Sequence, residues 1–268
     1  MLVETLVGTA LIGSLFTQVN KSMEIDERTM KKNIKAFTKM AEAENKLRQC
    51  QQRTVDKLMI CAKRKSGILN GHVKMFKEQF EVIRKVEFKS GQGIEELERF
   101  DEISQKISHS ISVVGAENRL GMSTQQTLIS FALFGIGGLM IKESEINLKM
   151  ATKTVAQANA MAAQVDSICI ALDGLARHSE IVTELLQKLG VMYIQSIRTI
   201  SDIIKQNGTD CNKYSQMDID SINVSLLLTK VIYRIINTPM VDENGEIEQE
   251  SLKVIDEGNR LLQRINNN

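Results

Sequence analysis

Met30-Lys-Lys-Asn-Ile34-Lys-Ala-Phe37-Thr-Lys-Met-Ala41 returns an apolar residue every three or four positions, which is the repeat of one face of an α-helix. Val55, Leu58 and Ala62 resume that spacing, and Leu69, Val73, Phe76, Phe80 and Ile83 carry it further. A long amphipathic helix is therefore predicted from about Met23 onward. Glu44, Arg48 and Gln51 interrupt the stripe, so the expectation is packing against more than one neighbour rather than an unbroken coiled coil. Gly67 and Gly71 read as a bend in the helix, and Ser90-Gly-Gln-Gly93 as its first firm break.

The same periodicity continues outward from this stretch. Leu97, Phe100, Ile107, Ile111 and Val114 mark a helix over 94–114, followed by a turn from Gly115 to Gly121. Ser123-Thr-Gln-Gln126 fits a capping box, whose serine and glutamine side chains satisfy the unpaired N–H groups of a helix start. From Lys142 to Ala176 a stripe of mostly small residues runs through Ala158, Ala162, Val165, Cys169, Leu172 and Ala176, a surface suited to close helix approach. A separate helix is expected from Ser179 to Gln206, ending at Asn207-Gly208. Another spans Asp218 to Asn237 before Pro239. Val241-Asp-Glu-Asn-Gly-Glu-Ile247 reads as a tight polar turn or a tiny hairpin, and an acidic helix closes the chain over 248–265.

Composition agrees with a helical reading. The 268 residues are 43% hydrophobic and 25% charged, with one proline, no tryptophan and 4% aromatics. Strand-rich domains draw on aromatic and β-branched residues and on frequent proline and glycine turns, and those are scarce here. The fold class expected is all-α, an elongated multi-helix bundle with long amphipathic, partly coiled-coil-like helices. An apolar N-terminal helix (1–20) precedes a single elongated bundle (21–268).

The net charge of +1 points to no nucleic-acid partner. Its distribution is uneven, with roughly nine excess positive charges between Asn20 and Ser90 and about four excess negative ones after Pro239. Lys31, Lys32, Lys35, Lys63, Arg64 and Lys65 form the basic arm. A solvated helix face explains it, as does contact with an anionic membrane surface or an acidic partner helix.

No local signature of catalysis is present. His72, His109 and His178 occur without H-x-x-x-H or H-E-x-x-H spacing and read as solvated or capping helix residues. The chain has no E-x-x-H pair for a di-metal bundle site, no phosphate-binding loop and no nucleophile elbow. Glu180 reads as a residue of a helix N-terminal turn. The four cysteines, Cys50, Cys61, Cys169 and Cys211, include no C-x-x-C pair and suit a reducing setting. Cys50 and Cys61 share a helix face about 16 Å apart, too far to bridge, and read as small packing residues. The expectation is a non-enzymatic protein with no cofactor, no metal and no small-molecule substrate.

The stronger feature is apolar. Leu128-Ile-Ser-Phe131-Ala-Leu133-Phe134-Gly135-Ile-Gly-Gly138-Leu-Met140-Ile141 is about 14 residues long, the length of a buried core helix more often than of a membrane span. A second apolar segment, with Leu6, Gly8, Leu11, Gly13 and Phe16, is followed closely by lysines. Each segment is open to two readings, a core helix or a membrane segment.

Long helices carrying an apolar, glycine-containing segment in mid-chain resemble the cytolysin A type of α-helical pore-forming proteins, through Phe131, Phe134, Gly135, Gly137 and Gly138. The resemblance is one of architecture, from about Met23 to Gln206, and it implies a segment that leaves the bundle to enter a membrane. Function is expected to rest on self-association or on binding partner helices. The expected location is cytoplasmic, peripheral to or inserted in the inner face of the plasma membrane. A membrane-perturbing role and an all-helical enzyme with a dispersed pocket are the alternatives.

Overall fold

The computed structural model describes residues 27–88, 95–120, 125–136, 158–242 and 245–266. The described chain is all-α: α1 (Glu27–Ile68), a π-helical turn (Leu69–Val73), α2 (Lys74–Ile83), α3 (Glu95–Leu120), α4 (Gln125–Phe134), α5 (Ala158–Asn207), a short 3-10 turn (Cys211–Lys213), α6 (Gln216–Asn237) and α7 (Gln249–Asn266). The sole β-type pairing among the described residues is an isolated antiparallel bridge, Val241 with Ile247. It is the tiny hairpin the polar turn suggested, closed by Asp242 N–H donating to Glu246 O at 2.8 Å.

α1 and α5 are the frame, and they run parallel. Lys46 pairs with Asp166 at 2.6 Å, Arg53 with Asp173, and Lys57 with Glu180 at 2.5 Å. The offset between partners stays near 120 residues along the whole contact, as only parallel helices allow. The seam repeats every seven residues: Leu47, Thr54, Cys61 and Ile68 on α1, and Leu172, Ser179, Leu186, Tyr193 and Ile200 on α5, all buried. That is the geometry of a left-handed two-helix pair. Gln51 is buried in this seam, so it does not break the stripe as the spacing suggested, while Glu44 and Arg48 pair with one another outside it. Parallel helices cannot be joined by a tight turn, so the long stretch between them has to carry the chain back.

The π turn shifts the face of the rod by one residue. Ile68 and Lys74 on either side keep right-handed helical angles, so Gly67 and Gly71 sit in a continued helix rather than at a stop. Leu69, Val73, Phe76, Phe80 and Ile83 then point into the main core. Phe76, Phe80, Phe100 and Tyr193 meet there at ring-centre distances of 4.9–6.3 Å. Tyr193 is fully buried and its hydroxyl pairs with Thr229 at 2.7 Å, which satisfies both.

α6 folds back along α5, since Asn207 reaches Asp218 at 3.4 Å and Tyr193 reaches Thr229. Gly208, at φ +60°, ends α5 as a left-handed cap. α6 starts at Gln216 under a full capping box: Ser215 Oγ accepts from Asp218 N–H, and Asp218 accepts from Ser215 N–H at 2.8 Å. α7 then runs beside α5, with Ser251 against His178 and Gly258 against Leu185.

Two predicted boundaries are corrected. The 94–114 helix continues to Leu120, because Gly115 sits in a helix with open space around it and nothing there turns the chain. The helices expected on either side of Ser179 are one helix of 50 residues. Ser179 caps nothing; its hydroxyl donates back to Ala176 O at 2.8 Å, inside the helix. Glu180 therefore lies in mid-helix, paired with Lys57.

Candidate functional site: an apolar helix capped by a buried lysine

α4 carries the mid-chain apolar segment. Phe131, Ala132 and Leu133 are fully buried in the main core, and Leu128 and Phe134 are half-buried against it. Gly138 and Met140 lie outside the described residues, as do Leu6, Gly8, Leu11, Gly13 and Phe16. No described helix is long and apolar enough to cross a membrane.

The last turn of a helix leaves carbonyls without partners, and here two of them have specific ones. Ala132 O accepts from Lys65 Nζ at 3.0 Å, and Leu133 O from Met240 N–H at 2.6 Å. Gly135 turns the chain at φ +61°, where an added Cβ would lie 2.6 Å from Asn237 O, so only glycine fits. α4 is thus fastened at one end by three polar or steric ties drawn from α1, α6 and the segment after α6.

Lys65 is fully buried. It does not belong to a solvated basic arm, although its neighbours Lys63 and Arg64 are exposed. The seven-residue step from Leu58 to Lys65 on the seam is the signal that separates it from them. Burial pushes its ammonium below the usual lysine range, with Cys61 opposing. A cation at the C-terminal end of a helix is favoured by the helix dipole, which offsets part of that cost. Lys31, Lys32 and Lys35 fall in the first turns of α1, and their side chains lie outside the described residues.

Around Lys65 stands a polar cluster that no local motif announced. Burial raises the Cys61 thiol, opposed by Lys65 and by a hydrogen bond with Thr183. His178 is buried rather than solvated or capping, and its Nε2 pairs with Ser251 Oγ at 2.8 Å. Burial, and then the Lys65 charge, push its imidazole down to about 4. The neutral ring is therefore the form stable at neutral pH. His109 is exposed, as the spacing suggested.

On the outer side of α1, Ile60, Lys63, Arg64, Gly67, Ile68 and His72 line a shallow groove of about 440 Å³. A second, of about 390 Å³, lies between α6 and α7 and includes Leu227, Val231, Glu257 and Arg260. Among the described residues no three His, Cys, Asp or Glu side chains come together to hold a metal ion. The arrangement around Lys65 caps a helix and tunes charge. No known protein family, no curated protein and no solved structure matches the chain.

Proposed function

We propose that this protein is a non-enzymatic helical bundle that works by helix-mediated association, with the thin end of the α1/α5 pair as its docking arm and a second copy of the chain as its first partner. One observation carries the reading. Leu47, Cys50, Cys169 and Leu172 form a small core of their own, separate from the main one, while Ile170 on the outer side of α5 is 73% exposed. Ile181 follows eleven residues later, on the same face of that helix, and is also exposed. Among the described residues this small core draws on α1 and α5 alone, and two helices bury little apolar surface, so a third or fourth helix laid on that face adds burial. Sedimentation velocity over a dilution series tests this: the account expects a concentration-dependent oligomer, and a monomer at every concentration overturns it.

A second reading, membrane perturbation by the apolar segment, draws support from the way α4 is held. Its C-terminal end is tied by Lys65 and Met240, and the His178 imidazole, which feels the Lys65 charge, takes up a proton as the pH falls towards about 4 and then repels the Lys65 ammonium. Flotation with anionic liposomes at pH 7 and pH 4.5 tests it, since binding that rises on acidification is expected and binding absent at both values contradicts it.

A further inference from the structure

We infer that Cys50 and Cys169 are a redox modification site, a thiol pair that closes reversibly to a disulfide and locks α1 to α5 across the seam. Position argues first. Cys50 lies between Lys46 and Arg53 on α1, Cys169 lies between Asp166 and Asp173 on α5, and the two cross-helix ion pairs bracket them from both sides. In parallel helices such a bracket holds the two residues at one level, facing each other.

The backbones also approach closely here. Thr54 Oγ1 donates to Leu172 O of the opposite helix at 3.1 Å, and the Cys169 thiol points to Lys46 O at 3.9 Å. Both cysteines sit in the same four-residue core, and Cys50 is among the groups that act on the Cys169 thiol. Cys61, on the same face of α1, is engaged with Thr183 and Lys65, and Cys211 sits in the 3-10 turn beyond the far end of α5. The dithiol is thus a pair across two helices, which the spacing of cysteines along the chain could not disclose.

The oxidant required is a small disulfide, such as oxidised glutathione. Cys50, whose sulfur accepts from the Arg53 guanidinium at 3.8 Å, loses its proton and attacks one sulfur of the small disulfide. One small thiolate leaves and takes up that proton. Cys169 then loses its proton and attacks the Cys50 sulfur of the mixed disulfide, releasing the second small thiol. Two cysteine thiols are oxidised, one small disulfide is reduced to two thiols, and the protons balance. Burial first, and then Cys50, push the Cys169 thiol up to about 12. Entry requires the arm to open locally, and a core of four residues sets a low barrier to that.

The reduced full-length protein, incubated with oxidised glutathione, quenched with N-ethylmaleimide and digested without reductant, provides the test. The expected product is a single linked pair of peptides containing Cys50 and Cys169, with a rise in melting temperature that dithiothreitol reverses. Cys50→Ser and Cys169→Ser should each abolish the link, whereas Cys211→Ser should retain it. Linkage of any other pair, links only between chains, or glutathione adducts without an internal link would overturn the assignment. The inference stands whether or not the arm associates with a second copy.

Discussion

Two glycines make opposite predictions. Gly135→Ala puts a methyl group against Asn237 O at a left-handed φ, which should cost about 3 kcal/mol of stability. Gly115→Ala fills open space within α3 and should gain about 0.5–1 kcal/mol. Urea unfolding of the two variants checks both signs, and a tolerated Gly135→Ala would refute the cap described for α4. His178 makes a third prediction. Its folded pKa of about 4 lies below the unfolded value of about 6.5, so the unfolded chain binds more protons between those two values. Stability should therefore be intact above about pH 6.5 and fall by up to about 3 kcal/mol as the pH drops to 4. His178→Gln, which keeps a partner for Ser251, should flatten that fall; an unchanged slope in urea midpoints against pH would show that another group governs it. His178 was invisible to spacing arguments because its partner, Ser251, lies 73 residues away. Lys65 was more accessible, since its seven-residue step from Leu58 places it on the seam while Lys63 and Arg64 point outward.

At the scale of the element, α4 is the helix whose burial can be tested most sharply. Phe131 is fully buried in the main core, so Phe131→Ala should cost about 3–5 kcal/mol, measurable by chemical denaturation. A cost below about 1 kcal/mol would mean that the side chain faces solvent or lipid instead. The apolar periods of α1, α3 and α6 were legible because each helix buries one face. Helix ends were harder to read. A helix start was expected at Ser179, but its hydroxyl turns back to Ala176 O once tertiary packing carries α5 straight through. Gly115 resembles a turn residue, yet an isolated glycine in a helix costs only about 1 kcal/mol and does not end one. The capping box at Ser215 and Asp218 was readable in principle, as a serine three residues before an aspartate and an apolar run.

Across the whole molecule, composition was enough for the all-α class but not for the arrangement. The parallel pairing of α1 and α5 depends on contacts near 120 residues apart, and no local pattern encodes that register. The crossover through α2, α3 and α4 follows from it, and the second small core sits between α1 and α5 beyond the main one. The exposed face of α5 at that end gives the association account its sharpest form. Ile170→Glu places a charge on the 73% exposed position, where it should change stability by no more than about 0.5 kcal/mol. Sedimentation equilibrium of the wild type and this variant, at matched melting temperatures, is the most direct measurement. A wild-type oligomer that Ile170→Glu weakens tenfold or more, at least about 1.4 kcal/mol, is the predicted result. Equal association in the two proteins, or none in either, would contradict it.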